Sequence, residues 1–417
     1  MKILLTSIGT RGDVEPFLAM GEKLISCGHD VHFAFPEQFS ALVPDHCSFY
    51  PLTAQFLELI ESEAGRVVMG GKASLLLKMR SLYQLYRRGK VVNRLLVGQQ
   101  YEIAQQVQPD KIIHNSKCSY PSLWSLQTGR EAILISSVPY FMYYVKGHAH
   151  VGFKGNLGRW LNRLSYRLAN FGLLTSIGDA QKSIPGKPHF FRQDIRRELF
   201  SKKLIYAISP SLFTRPAYWP SHVYVSGFMD REPEAAWQAS KQLTEFVDGE
   251  QKILFLSFGS MVNRAPEEIS TFIYSVLVEL DMKTVVNTAS GGLLPLKAFA
   301  QSDCLHFEDT IPYAWILQRA DAVVHHGGSG TTHLGLKYGC PTLILPHILD
   351  QFGWNTLVHR AGAGPKGVAV NKLSRQKLMS LLQDLMYNPA YLAKANQLSQ
   401  KMHREAAKNN LTDILFD

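Results

Sequence analysis

Paired cysteines are missing from this chain. Its five cysteines, Cys27, Cys47, Cys118, Cys304 and Cys340, are scattered, odd in number and never spaced C-x-x-C, which argues against a disulfide framework and against a thiolate metal site. They read as reduced packing residues. Long apolar runs are missing too: the best candidate, Ala132 to Val145, is short and carries Pro139, well below the roughly 20 residues that span a bilayer. The N-terminus meets Arg11 and Asp13 after a short apolar run and lacks the hydrophobic core and cleavage site of a signal peptide. The expected location is the cytoplasm. Acids are absent from two stretches of the first half. Residues 64 to 101 carry eight Lys or Arg, and 132 to 178 carry five, with no Asp or Glu in either. With a net charge of +10, that leaves a solvated surface, anionic lipid or nucleic acid as the partner of the basic faces. No nucleic-acid-binding motif accompanies them, so nucleic acid is not expected.

What is present is an ordinary globular composition, 46% apolar and 19% charged over 417 residues, enough for two domains with separate cores. Lys2 to Ser7 reads as a buried strand, Ile8 to Asp13 as a glycine-containing turn, Val14 to Cys27 as an amphipathic helix and Asp30 to Phe35 as a second strand, a βαβ opening. A similar unit restarts at Lys252 to Phe258, followed by strand-like Thr284 to Asn287, Ala322 to His325 and Thr342 to Pro346. The fold class is therefore α/β with parallel sheets, whose ligand sites lie beyond the carboxyl ends of the strands. The expected division is a first domain over 1–229, a polar connection over 230–250, a second domain over 251–390, and a terminal segment, 391–417, that returns to the first domain.

The densest signal is His325-His326-Gly327-Gly328-Ser329-Gly330-Thr331-Thr332, after a strand and before a helix. Paired glycines let backbone approach a ligand, and free N–H groups at a helix start favour an anion. A diphosphate fits, with His326 neutralising one phosphate and the Thr331 hydroxyl donating to the other. The competing reading is a tight strand-to-helix turn around a packed histidine.

The run from His325 to Pro365 resembles the nucleotide-sugar signature of family 1 glycosyltransferases, most of all the sterol glucosyltransferases. GTRGDVEPFLAMGEKL from Gly9, NRLSYRL at Asn162 to Leu168, ISPSLFTRPAYWPSHVYVSGF at Ile208 to Phe228 and SFGSM at Ser257 to Met261 agree with it in order and spacing. The resemblance implies a GT-B fold, two Rossmann-like domains facing each other across a cleft, and an inverting transfer of a hexose from a UDP-sugar to a hydrophobic hydroxylated acceptor. It further implies that Gly12, Gly259, Ser260, His326, Gly328, Ser329, Gly330 and Thr331 surround the donor, that Asp350 and Gln351 hydrogen-bond sugar hydroxyls, and that the Ile311 backbone holds uracil. Two positions depart from the plant small-molecule enzymes: Thr310 replaces the tryptophan that stacks on uracil, and Leu334 replaces the ribose-binding glutamate.

A base must take the acceptor proton. Asp13 is the candidate, because the sterol-type and glycopeptide-type relatives use the aspartate of this motif and no histidine precedes His29. Its alternative role is capping a helix. Asp-x-Asp occurs nowhere in the chain, and no metal or other cofactor is expected; His148-x-His150 reads as two surface histidines rather than a metal pair. Leu82 and Tyr86, from a helix whose other face carries Arg80, Arg87 and Arg94, are expected to wall the acceptor cleft together with Tyr140, Phe141 and Tyr143. That basic helix is also the candidate contact with an anionic membrane, at its inner face. Two other readings stand beside this one. In a dinucleotide-dependent oxidoreductase, Gly9-Thr-Arg-Gly12 would have to serve as G-x-G-x-x-G, with Glu37 the nearest acid after the second strand. A catalytically silent sugar-nucleotide-binding subunit at a membrane would keep the same glycine turn.

Overall fold

Each sheet begins with a short strand of branched apolar residues that is covered on both faces. The computed structural model describes the chain apart from residues 71–73, 154, 187–188, 232–236, 260, 262–264, 289–290, 409–410 and 417, and apart from the side chains of 66, 69, 70, 75 and 78. The described chain forms two compact units, one of 1–68, 73–231 and 408–417, the other of 69–72 and 232–407.

In the first unit β1 (Lys2–Thr6) is an interior strand of a seven-stranded sheet with β2 (Asp30–Pro36), β3 (Ser48–Leu52), β4 (Lys111–Asn115), β5 (Glu131–Ser136), β6 (Leu204–Tyr206) and β7 (Val223–Val225). The order is β3-β2-β1-β4-β5-β6-β7, and every pairing is parallel. The helices are α1 (Arg11–Ser26), α2 (Gln55–Glu61), α3 (Glu63–Gly70), α4 (Leu75–Val107), α5 (Tyr120–Thr128), α6 (Arg159–Ala180) and α7 (Arg192–Ser201). Ile3, Leu5, Phe33 and Phe35 from the sheet meet Val14, Phe17, Leu18 and Leu24 from α1 in one core.

The helix α1 starts at Arg11, three residues before the apolar periodicity begins. Thr10 is its N-cap, and the Asp13 carboxylate accepts from the Thr10 N–H at 2.8 Å, the return half of a capping box. Pro16 therefore lies in the second turn, where it cannot donate to the Gly12 carbonyl. Gly12 and Asp13 belong to the helix, not to the turn before it.

The second unit holds α8 (Lys241–Val247), β8 (Leu254–Ser257), α9 (Pro266–Glu279), β9 (Thr284–Asn287), β10 (Leu305–Glu308), α10 (Tyr313–Leu317), β11 (Ala322–His325), α11 (Ser329–Lys337), β12 (Thr342–Ile344), α12 (Gln351–Arg360), α13 (Arg375–Tyr387) and α14 (Pro389–Ala407). Its parallel sheet runs β10-β9-β8-β11-β12, so the strand order reverses between β8 and β11. The stretch 230–250 is not connection throughout: α8 buries Leu243 and Val247 against Ile253, Phe255 and Ile316, two aliphatic anchors that its polar composition hides.

At the end of the chain α14 stays with the second unit, where Ser399 Oγ donates to the Lys337 carbonyl at 2.6 Å. A further short helix, α15 (Leu411–Phe416), packs in the first unit, with Leu411, Ile414 and Leu415 joining the core of Ile3, Leu5 and Phe33. The buried Lys111 fixes it: its ammonium donates to the Leu415 carbonyl, pairs with Glu131 at 2.8 Å and lies over the Phe416 ring, a cation at a helix C-terminus. No described helix is long and apolar enough to cross a membrane. Because Leu415 is fully buried, Leu415→Ala should cost about 3 kcal/mol. Urea unfolding followed on the first unit's tryptophans should show the loss, whereas an unchanged midpoint would mean that α15 is not part of that core.

Candidate functional site

The reversal of strand order in the second unit opens a crevice at the carboxyl ends of β8 and β11, where ligands of open α/β sheets sit. Both strands leave the sheet through glycine. Gly259 follows β8 at φ +53° and Gly327 follows β11 at φ +100°, backbone that residues with a Cβ adopt at a cost. Between the two loops lies His326. A Cβ at Gly328 would fall 2.6 Å from its Nε2, and one at Gly259 3.3 Å from its Cε1, so these glycines are the walls of a slot for the ring. A Cβ at Gly327 would strike Ile344 and Gln351.

Burial holds His326 at a pKa of about 3, with His347 nearby acting in the same direction and the Ser257 backbone opposing. The ring is therefore a neutral hydrogen-bonding group at physiological pH. Charge on this ring, which neutralising a phosphate would need, has to come with the anion itself. Its Nδ1 is buried without a partner. His325, fully buried, is also held well below the ordinary range and accepts the Gly327 N–H on Nδ1 at 3.0 Å, which sets the turn.

Gly328 is the N-cap of α11, and Ser329, Gly330 and Thr331 form its first turn. Their N–H groups lack intrahelical acceptors. A Cβ at Gly330 would meet nothing within 4 Å, and the Thr331 hydroxyl makes no hydrogen bond among the described residues. Thr332 instead bonds back to the Gly328 carbonyl at 2.8 Å.

The loop after β12 carries Asp350 and Gln351. Leu349 stands there at φ +28°, a strained value for leucine, and half of its side chain is exposed. Gln351 is buried: its Oε1 accepts the N–H groups of His347 at 2.7 Å and Ile348 at 3.0 Å, and its Nε2 touches the Met261 sulfur. The amide thus holds the loop rather than standing open for a sugar. Asp350 is the N-cap of α12 and partly exposed. Ile311 is buried in the loop between β10 and α10. Tyr313, which sequence reasoning did not single out, donates or accepts at Ser257 Oγ at 2.7 Å and so ties that loop to the end of β8. Ser260 lies outside the described residues.

In the first unit, Asp13 is mostly buried at the carboxyl end of β1. Its Oδ2 takes the Thr10 N–H at 2.8 Å, the Thr10 hydroxyl at 3.2 Å and the Lys117 ammonium at 2.7 Å. Its Oδ1 has no hydrogen bond among the described residues. Behind it Asn115 donates to Ser7 Oγ and to the Ile8 carbonyl at 2.8 and 2.7 Å, and Ser7 Oγ donates to the Asp13 carbonyl at 2.7 Å. Lys117 escaped the sequence reading because its partner is 104 residues away. Gly12 is exposed in the first turn beside Asp13.

The five acceptor-cleft candidates occupy different places. Tyr140 is a core residue, its ring stacked on the buried His148 at 3.5 Å and edge-on to Phe213. Phe141 is partly buried, and its carbonyl takes the Tyr206 hydroxyl. Tyr143 is half-buried, with its hydroxyl against the Phe200 carbonyl and His222. Leu82 and Tyr86 are exposed on α4. The aromatic run is packed because Tyr206, Phe213 and Trp219 stack behind it. His148 and His150 are not surface residues either. His148 is buried, and burial lowers His150 to a pKa of about 4. Among the described residues no three His, Cys, Asp or Glu side chains converge as metal ligands, and all five cysteines are free.

Residues 3–113 match the glycosyltransferase family 28 N-terminal domain, and 273–416 the erythromycin biosynthesis protein CIII-like C-terminal domain. A sterol 3-beta-glucosyltransferase of Arabidopsis thaliana is 26% identical over 99% of this chain and 67% of its own length. One of Debaryomyces hansenii is 24% identical over 99% of this chain and 26% of its own length. The chain thus spans about two thirds of the plant relative and about a quarter of the yeast one. Among solved structures, the glycotransferase of kitacinnamycin superposes with a TM-score of 0.70 at 16% identity, covering 99% and 97% of the two chains. The glycosyltransferase VinC in complex with dTDP gives 0.65 at 17% identity, covering 99% of each.

Two outcomes are expected. Gly328 has an ordinary φ of −66°, so Gly328→Ala should fold while displacing His326, and calorimetry with nucleoside diphosphates should show an affinity reduced by roughly tenfold or more; undiminished affinity would remove His326 from the candidate site. Acid should destabilise the fold. His114, His150 and His347 are lowered by burial to about 4, and His326 to about 3, from the ordinary 6.5. Below 6.5 the unfolded chain binds more protons than the native one, so stability falls as the pH is lowered. Each of these histidines should remove roughly 2 kcal/mol by about pH 5, read as a lower thermal midpoint than at neutral pH.

Proposed function

We propose that this chain, which belongs to the family 1 glycosyltransferases of GT-B fold and lies close to the sterol glucosyltransferases, transfers a hexose from a UDP-sugar to the hydroxyl of a sterol-like lipid with inversion at the anomeric carbon. The observation that carries the reading is the slot between Gly259 and Gly328: a half-buried, neutral imidazole whose Nε2 edge lies against Gly328, set beside the open first turn of α11. Hydrogen-bond donors fixed in this way hold a diphosphate and stabilise the charge it gains as it leaves. The Thr331 hydroxyl supplies one more donor. Asp350 takes the sugar hydroxyls, and Gln351 keeps its loop in place. The base of the nucleotide lies along the β10–α10 loop at Ile311.

Asp13 is the base. Oδ2 is anchored by Thr10 and Lys117, leaving Oδ1 to take the acceptor proton as the acceptor oxygen attacks C1 and the C1–diphosphate bond breaks. No covalent intermediate is needed, and an α-linked donor yields a β-glycoside. The sterol-like acceptor is supported by the names of the plant and yeast relatives, and a nucleoside-diphosphate donor by the dTDP complex of a structural neighbour. The acid-free basic stretches suit an acceptor presented at an anionic membrane.

Asp13→Asn preserves the shape of the side chain. Transfer of glucose to a dispersed sterol, followed by mass spectrometry, should fall at least about a hundredfold while UDP binding measured by calorimetry is retained. Unchanged turnover would overturn the assignment of the base, and a wild-type chain that ignores UDP and UDP-glucose would overturn the donor site.

A further inference from the structure

The helix α6 presents two unlike faces. Asn162, Ser165 and Tyr166 are buried and pin the preceding loop. Asn162 Oδ1 accepts the Leu157 N–H at 2.8 Å, its Nδ2 donates to Asn156 Oδ1 at 2.7 Å, and Ser165 Oγ accepts the His150 N–H at 2.9 Å. The opposite face lies open: Trp160 is 81% exposed, Leu168 54% and Phe171 58%, with Leu164 among them. At 3.6 residues per turn these four positions fall within an arc of about 80°. An apolar stripe of this kind on one helix is not how a water-facing helix is built.

Arginine borders the stripe. Arg163 and Arg167 follow one edge, both exposed, and Arg192 lies over the Phe171 ring at 3.7 Å while donating to the Phe171 carbonyl at 3.0 Å. No acid occurs between 132 and 178, and Asp179, at the end of the helix, is held by two 2.9 Å bonds from Arg94. Charge decides among occupants. A second copy of this face would set arginine against arginine, whereas an anionic bilayer receives the arginines at its headgroups and the tryptophan and leucines below them.

We infer that the Trp160–Phe171 face of α6, with its arginine border, docks the first unit on an anionic lipid surface. This rests on the membrane-borne lipid acceptor proposed above and moves the contact from α4, where the basic periodicity suggested it, to α6. The full chain should co-sediment with vesicles of phosphatidylcholine and phosphatidylglycerol, and not with phosphatidylcholine alone, less so at high salt. Trp160→Ser/Leu168→Ser should lower the partition coefficient about tenfold or more, and Arg163→Gln/Arg167→Gln about fivefold per arginine. Both variants should keep the wild-type unfolding midpoint and transfer to a detergent-dispersed sterol. Wild-type chain that ignores anionic vesicles, a serine variant that binds as tightly as wild type, or a variant that abolishes self-association instead of vesicle binding would each overturn the inference. Transfer without vesicle binding would overturn this inference alone, and vesicle binding without transfer would overturn the proposed reaction alone.

Discussion

Room for one imidazole ring is the constraint on which the second unit's site depends. His326 fits only because Gly259 and Gly328 have no side chains: the missing Cβ atoms would stand 3.3 Å and 2.6 Å from its ring. Once enclosed, the ring loses its charge, since desolvation disfavours the cationic form. The same closeness leaves the first turn of α11 uncovered. The glycines of the HHGGSG run are therefore steric before they are chemical. Gly327, against Ile344 and Gln351, extends the argument to β12, because the turn after β11 can close only if the next strand and the start of α12 approach its backbone.

In the first unit one carboxylate caps a helix and is also the proposed base. Capping a helix and accepting a proton look like competing roles for Asp13, yet a carboxylate has two oxygens. Thr10 and Lys117 both address Oδ2, which fixes the plane of the group and leaves Oδ1 directed elsewhere. The Asn115–Ser7–Asp13 chain of hydrogen bonds anchors the backbone at that point to β4 as well as β1. Preorganisation of this kind is what a general base needs before substrate arrives.

Strands whose apolar runs end abruptly in glycine or polar residues were legible in the sequence: Thr284–Asn287 and Ala322–His325 fall where the pattern places them. Boundaries set by capping were less so, because the apolar period at Val14 says nothing of a helix that starts with Arg11-Gly12. The short helix α8 was obscured by its charged surroundings. Composition misled most at Tyr140 to Tyr144. An aromatic run reads equally as a cleft wall or a core, and the arbiters, Tyr206, Phe213 and Trp219, lie more than 60 residues away in sequence. Lys117 and the inward turn of Gln351 are tertiary facts with no local signature. The open face of α6 lies inside a stretch without acids, but which residues face outward is set by Asn162 and Ser165 facing in.

The distribution of charge between the two candidate sites follows from their burial. Where the second unit is to hold an anion, the structure offers neutral donors: an uncharged imidazole, a threonine hydroxyl and the N–H groups of Ser329 to Thr331. Such groups are oriented by the fold and need not change protonation as negative charge develops on a leaving oxygen. The formal cation, Lys117, sits instead beside the carboxylate of the first unit, partly exposed. There water screens it, and holding the ion pair costs less than burying an isolated charge. A charged histidine in the glycine slot would have to be desolvated before any ligand arrived. A neutral one is held at little cost, and in the proposed donor site its electrostatic role begins only with the anion.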